Sequence, residues 1–181
     1  MDANAYPADV LERATRIRAI GFDVDGTLTD GRLLHGDDGN ESKSFHVQDG
    51  LGIKLLAMAG VEIALVTARA SATVERRARE LGIARVHTKT REKLACMRAI
   101  AADLGIGMDQ VAFMGDDLPD LATLRAAGLA IVPANAHAWV RPAAHWSTPR
   151  RGGEGAGRDA CDLLLHAQGR IEALLAHGEH P

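Results

Sequence analysis

A chain of 181 residues, 46% apolar and 25% charged, holds enough material for one domain with its own core and one short insertion. Its formal charge of −3 leaves no basic footprint for nucleic acid, and no apolar run approaches the roughly 18 residues of a membrane span. No secretory leader is visible, and two cysteines in helix-like stretches, Cys96 and Cys161, read as reduced thiols, so a soluble cytoplasmic protein is expected.

The first predicted strand, residues 17–24, ends in FDVDGTLTD (22–30), with Asp23 and Asp25 one residue apart. Side chains two apart on a strand share a face, so both carboxylates are expected to crowd one spot. Packing gains nothing from that repulsion; a cation or a transferring phosphoryl group explains it. Next, GRLLHGDDGNESKSFHV (31–47) reads as two short strands around the turn-forming GDDGN, a β-hairpin inserted before the first core helix at 50–59. A strand at 61–66 leads into Thr67, and a helix at 72–81 carries Ser71 as its N-cap. After a strand at 84–87 comes a helix at 92–104, with Thr90 as its cap and Lys93 in its first turn. A strand at 111–114 runs into Gly115-Asp116-Asp117, and Pro119 opens a helix at 118–126. A strand at 129–132 and a helix at 158–167 complete the pattern, and Gly60, Gly82, Gly105 and Gly128 follow helix ends. Between these last two elements PRRGGEGAG (149–157) is glycine-rich and expected to be mobile unless something holds it. The alternation predicts an α/β fold, a parallel sheet with helices on both faces. It reads as one domain over 1–181, in which 149–181 form a glycine-rich tail and C-terminal helix.

In an open parallel sheet, ligands gather outside the carboxyl ends of the strands. There the chain places Asp23 and Asp25, then Thr67, then Gly115-Asp116-Asp117, with Lys93 opening a helix nearby. Carboxylates, one hydroxyl and one amine on one edge suit phosphoryl transfer, and two or three carboxylates suit Mg2+, which prefers oxygen and keeps waters. A lysine in a first helical turn opposes the helix dipole by about 0.3–1 kcal/mol; a phosphate bound before that end reverses the sign. Singly, each residue has an ordinary use: Lys93 as a solvated lysine beside Arg91, Asp116 and Asp117 as helix caps, Asp25 as a turn residue before Gly26. All of them being ordinary at successive strand ends is the poorer explanation.

In order and placement, Asp23-Val24-Asp25-Gly26-Thr27, Thr67, Lys93 and Gly115-Asp116-Asp117 resemble the four motifs of the haloacid dehalogenase superfamily of phosphatases, over residues 17 to 132. FHVQDGLGIK (45–54), VTARA (66–70), GDDLPD (115–120), GGEGAGRDACDLLL (152–165) and HAQGR (166–170) are similar to one member family, the 3-deoxy-D-manno-octulosonate 8-phosphate phosphatases. The resemblance implies a Rossmann-like fold without a cap domain, the 31–47 hairpin standing in its place. It implies that Asp23 attacks phosphorus to form an aspartyl-phosphate, and that Asp25 protonates the departing sugar oxygen and then deprotonates the hydrolytic water. Mg2+ would lie between Asp23, the main-chain carbonyl of Asp25 and Asp116, while Thr67 and Lys93 hold phosphoryl oxygens and Asp117 and Asp120 orient the metal waters or Lys93.

The substrate positions it implies are Asp25, Lys93 and the run His46, Val47, Gln48, Asp49, Gly50, with Lys54, Arg69 and Arg77 as cations for a sugar acid's carboxylate. Arg77, in RRAR (76–79), reads nearly as well as part of a solvated helix face. Departures from the family pattern are Ala68 for a glycine, Lys54 for an arginine, Gln48 for a basic residue, Gly157 for a valine and Asp159 for a glutamate; at 54 this exchanges a planar fork for a point charge. The family is tetrameric through such hairpins and its tail reaches a neighbouring active site. That would put Gly153, Gly155 and Arg158 at a neighbour's site, so that cutting the chain before Arg150 impairs turnover and spares folding. The pathway implied is lipopolysaccharide precursor synthesis. Alternatives are a phosphatase for a nine-carbon keto acid sugar phosphate, disfavoured by Arg69, and a phosphomutase, disfavoured by the missing cap. A non-enzymatic phospho-accepting or binding module is disfavoured by Asp25, an acid/base beside the acceptor.

Overall fold

Four-residue runs without a polar side chain, such as AIGF and VAFM, are what strands covered on both faces require. In the computed structural model, which describes residues 6–178 apart from 38 and 40 and only the backbone of 177 and 178, these runs lie in the middle of a six-stranded sheet. Helix α1 (Ala8–Thr15) leads into β1 (Ala19–Phe22), the small strands β2 (Leu34–His35) and β3 (Glu41–Ser42), and α2 (Val47–Met58). There follow β4 (Glu62–Val66), α3 (Ala72–Leu81), β5 (Arg85–His87), α4 (Lys93–Asp103), β6 (Val111–Met114), α5 (Leu121–Ala126) and β7 (Leu129–Val132). Strand β8 (Trp146–Ser147) and helices α6 (Ala156–Ala167) and α7 (Ile171–Gly178) end the described chain.

The sheet order is β5-β4-β1-β6-β7-β8, every pair parallel. From β1 the chain builds outward to β4 and β5, then returns to β6 on the other side of β1. That reversal opens a crevice at the carboxyl ends of β1, β4 and β6. Alternate strand residues face opposite layers, as a period of two demands. Ile20 and Phe22 share a core with Val10, Leu56, Val74 and Leu164 of α1, α2, α3 and α6; Ala19 and Phe113 share the other with Met97 and Leu124 of α4 and α5. Gly21 lets α4 come close, since a Cβ there would stand 2.6 Å from Met97 Sδ.

The parallel sheet with helices on both faces is the one the alternation predicts, but α1, α7 and β8 are not anticipated by it. Helix α1 buries only Val10 and Ala14, too thin a stripe to read, and β8 exists only by pairing its two residues with Ile131 and Val132. Helix α2 starts at Val47, three residues early, so the hairpin ends short of 47; its ladder is two residue pairs, and residues 38 and 40 of its turn lie outside the described residues. Glycine disfavours a helix interior, yet Gly52 sits in α2 because α6 packs there, a Cβ meeting Arg158 Cδ at 2.8 Å. Thr90 does not cap α4: the N-cap is Glu92, the Thr90 hydroxyl donates to the Thr88 carbonyl, and Lys93 is the first helical residue.

The 149–157 stretch is held. The Gly152 N–H donates to Asn135 Oδ1 at 2.7 Å, the Ala134 N–H donates to the Arg150 carbonyl, and the Arg150 guanidinium pairs with Asp159. A Cβ on Gly152 would lie 1.9 Å from the Gly26 carbonyl oxygen, so this segment rests directly on the loop after β1. Gly153, Gly155 and Arg158, expected beside a neighbour's site, are engaged by their own chain: Gly153 against Asp30, Gly155 against Arg150, and Arg158 with Asp49 and Asp162. Helix α6 then adds Ala160, Cys161 and Leu164 to the core. Cutting before Arg150 therefore removes core, and the expectation that folding survives it is corrected.

Candidate active site

β1 stops at Phe22, one residue before the first acid. The Asp23 N–H still donates to the Met114 carbonyl, continuing the ladder, but the chain then turns, and Gly26 takes φ +93°. Strand alternation no longer governs Asp25, and the two carboxylates do not crowd one spot. They part toward different cations.

Asp23 faces Lys93, whose Nζ lies 2.7 Å from Asp23 Oδ1 and 2.6 Å from Asp120 Oδ1 and whose side chain is 3% exposed. Asp116, at the end of β6, completes the group, so that carboxylate oxygens of Asp23, Asp116 and Asp120 lie within 4.8 Å of one another. The Thr27 hydroxyl donates to Asp116 Oδ1, and Gly26 admits the carboxylate where a Cβ would stand 2.1 Å from Asp116 Oδ2. Asp120 has no oxygen free: Oδ1 accepts from Lys93, while Oδ2 accepts from the Asp116 and Asp117 N–H groups. The Asp117 side chain accepts from the Leu118 N–H and caps the short turn Leu118–Asp120.

Three carboxylates face one ammonium, a net charge of −2 when all are ionised. Burial, with repulsion from Asp120, pushes the Asp23 carboxyl up to about 8 in spite of Lys93. Burial and Asp120 likewise push Asp116 up to about 6. Burial also works against the Lys93 ammonium, but the pull of Asp23 and Asp120 overcomes it and its pKa is raised.

Asp25 turns toward the hairpin. Its Oδ1 pairs with Lys43 Nζ, and its Oδ2 lies 3.9 Å from Arg69 Nε. Lys43 and Arg69 also pair with Glu41. Thr67 follows β4, is buried, and accepts from the Arg69 N–H in the turn that aims Arg69 at this group. A cavity of about 330 Å3 opens over both sets of acids, and Thr67, Arg69, Lys93 and Asn135 are among its walls.

The family profile of the haloacid dehalogenase-like hydrolases matches residues 51–128. The 3-deoxy-D-manno-octulosonate 8-phosphate phosphatase of Yersinia pestis is 40% identical over 91% of this chain and 88% of its own. The chain belongs to the 3-deoxy-D-manno-octulosonate 8-phosphate phosphatase family. Of solved structures, the family member from Moraxella catarrhalis, in complex with magnesium ion, phosphate ion and a KDO molecule, is 38% identical with a TM-score of 0.93, over 95% of this chain and 99% of that one. A hypothetical protein from Xanthomonas campestris is 49% identical with a TM-score of 0.94, over 97% and 96%.

The acid cluster of this phosphatase is short of positive charge by the amount one divalent cation carries, and its donors are all oxygen. That fits Mg2+, the cofactor of such phosphatases, with Asp23 and Asp116 as the carboxylates that still have oxygens to offer. Bound there, the ion neutralises anionic oxygens while a phosphoryl group transfers.

Protons compete for the same oxygens. The folded Asp23 and Asp116 values lie above the unfolded 3.8, so the folded state holds the extra protons and metal-free stability falls as pH rises from about 4 to about 8. Mg2+ should oppose that slope, raising the melting temperature little near pH 5.5 and clearly near pH 8, with apparent affinity gaining about tenfold per pH unit between about 6 and 8, where one proton leaves as the ion binds. A thermal shift with Mg2+ that is the same at both pH values would take the metal away from these carboxylates.

The residues carried over by resemblance do not all reach the cavity. Asp49 is buried, and its Oδ1 accepts from the Arg158 N–H at 2.7 Å near the start of α6. Gln48 accepts from Arg150, Arg77 lies over the Phe45 ring and pairs with Glu80, and Gly50 packs beneath Arg77. His46 is the residue before α2, while Val47 and Lys54 face outward. With α2 starting early, Asp49 and Gly50 fall in the seam with α6 and α3 while Val47 is left exposed. Conversely Lys43, Glu41 and Asn135 join the site although no motif contains them, and Thr27, part of the first motif, gains a partner in Asp116. Asn135 was open to the strand-end rule, lying three residues past β7, where its side chain ties the Gly26 carbonyl to the Gly152 N–H.

Proposed function

We propose that the protein hydrolyses 3-deoxy-D-manno-octulosonate 8-phosphate to the free sugar acid and phosphate through an aspartyl-phosphate. The observation that carries this is the separation of two acids into two environments: Asp23 in a buried cluster that wants a cation, Asp25 in a charge-balanced group at the cavity's edge. Asp23 attacks phosphorus; the new P–O bond forms as the bond to the sugar oxygen breaks, and Asp25, which takes a proton from solvent before the first turnover and from the hydrolytic water thereafter, gives that oxygen its proton. Asp25 then takes a proton from water, whose oxygen attacks the aspartyl-phosphate and returns Asp23 as a carboxylate. Lys93 and Thr67 hold the phosphoryl oxygens, and Arg69 at the rim meets the sugar's carboxylate. The Asp25 main-chain carbonyl would help hold the metal, leaving its side chain for the proton.

Phosphate release across eight- and nine-carbon keto acid phosphates with Mg2+ tests the substrate. We expect the eight-carbon ester to lead by about tenfold or more in kcat/KM. Equal, slow turnover of all of them would overturn the assignment.

We extend the proposal to a homotetramer built through the hairpin, working in the cytoplasm on lipopolysaccharide precursors. Leu33 and Leu34 on the hairpin and Val47 and Leu51 on α2 are exposed, and a ladder of two residue pairs is marginal alone. Cys96 and Cys161 are free, as suits a reducing compartment, and no helix among the described residues is long and apolar enough to cross a membrane. Light scattering should give four copies of the 19.2 kDa chain; a monomer mass would end this part of the reading.

A further inference from the structure

Lys43 follows β3 in the short extended link to α2, a segment whose one apolar side chain, Phe45, is only partly buried against the core. Its side chain is nevertheless 1% exposed, with Nζ against Asp25 Oδ1 and 3.1 Å from Glu41 Oε1. A lysine that only tied the hairpin down could do so at the surface, where its ammonium stays hydrated. Here the ammonium gives up water to meet one carboxylate, and Arg69 approaches the same carboxylate from its other oxygen. Asp25, Glu41, Lys43 and Arg69 together carry two negative and two positive charges. Asp25 thus has all the positive charge it needs, within one turn of a cluster that has too little.

We infer that Lys43 is a positioning residue that holds the Asp25 carboxylate on the hairpin side of the cavity and keeps it from joining Asp23 and Asp116 around the metal. This rests on the reading of Asp25 as the acid/base. A carboxylate two residues from the nucleophile, once released, would swing to a divalent cation as an additional ligand. The leaving oxygen would then lose its proton donor, while the nucleophile and its cation stay in place.

Lys43→Met keeps the length and apolar stem of the side chain and removes the charge. With the eight-carbon sugar phosphate, whose alkoxide needs a proton to leave, kcat should fall about 100-fold and KM stay within about twofold. With 4-nitrophenyl phosphate, whose phenolate leaves without one, the first-turnover burst should remain within about threefold of wild type and only the later, water-dependent turnover slow. Mn2+ affinity should rise, because Asp25 becomes available to the ion. Equal losses of burst and sugar phosphate turnover, or no loss of either, overturn the inference. Asp25→Asn separates it from its foundation: if that variant lacks the leaving-group pattern, the acid/base reading and the inference both fall; if it shows the pattern and Lys43→Met does not, only Lys43 loses its role. Should Lys43→Met not fold, Lys43→Gln, which still donates one hydrogen bond, is read in the same way.

Discussion

Replacing Asp23 by Asn should lower phosphate release by at least about 10^4-fold while making the metal-free protein more stable. The first effect follows from chemistry, since an amide is a poor nucleophile and no other acid of the cluster is free to substitute. Asp120 has both oxygens engaged by Lys93 and two N–H groups, and Asp116, with Oδ1 accepting from Thr27, has one oxygen left, which the metal would take. The second follows from charge. Asp23 is pushed up to about 8 by burial and by Asp120, so its ionised form costs stability that the neutral form does not. Its folded pKa exceeds the unfolded 3.8, so the cost appears as pH rises above about 4 and is complete above about 8. The variant's gain in melting temperature should therefore be absent near pH 4 and largest near pH 8, in chelator. Adding Mg2+ should shrink it, because the wild type then recovers the missing positive charge. Retained turnover would remove the covalent step; a variant less stable than wild type near pH 8 would remove the charge argument.

How much of this is legible from residues alone depends on what places each one. Asp23, Thr67 and Asp116 are readable because a parallel sheet delivers whatever follows its central strands to one edge, regardless of packing detail, and Lys93 because it opens the helix after the neighbouring edge strand β5. The same rule reaches Asn135, three residues past β7. Asp25 lies on the edge the rule names but outside strand geometry, because alternation ends with the strand at Phe22. Lys43 and Glu41 lie on a hairpin whose position over the site is a tertiary fact, and no local period marks an ammonium that will be buried. The run His46–Gly50 shows the limit of resemblance. It fixes residue types, but two glycines concealed the true start of α2, and with it the side of the molecule those residues face.

Lys93→Met should cost the metal-free protein about 3–5 kcal/mol near neutral pH, the penalty for stranding buried charges after one partner is removed. The lysine is the one ammonium among three carboxylates, and its own pKa is raised because Asp23 and Asp120 outweigh the burial that would lower it. A raised lysine gives stability that is present below its unfolded value of 10.5, so the whole contribution is at stake at pH 7. Without it the carboxylates can escape only by taking up protons. The gap to wild type should accordingly narrow near pH 5 and widen near pH 8. Mg2+ should narrow it at pH 8 as well, because the ion brings the cluster what the ammonium took away. Turnover should not return with stability: a metal at Asp23 and Asp116 cannot stand where Nζ meets the phosphoryl oxygens, and losing one such donor costs about 10^2–10^3-fold. Lys93→Arg is expected to fail too, since a planar guanidinium does not fit a gap that holds Nζ 2.6 Å from one carboxylate and 2.7 Å from the other. Thermal melts with and without Mg2+, set beside kcat on the same samples, separate the two roles; if Mg2+ restores both or neither, Lys93 does not balance charge and bind phosphate as two distinct tasks.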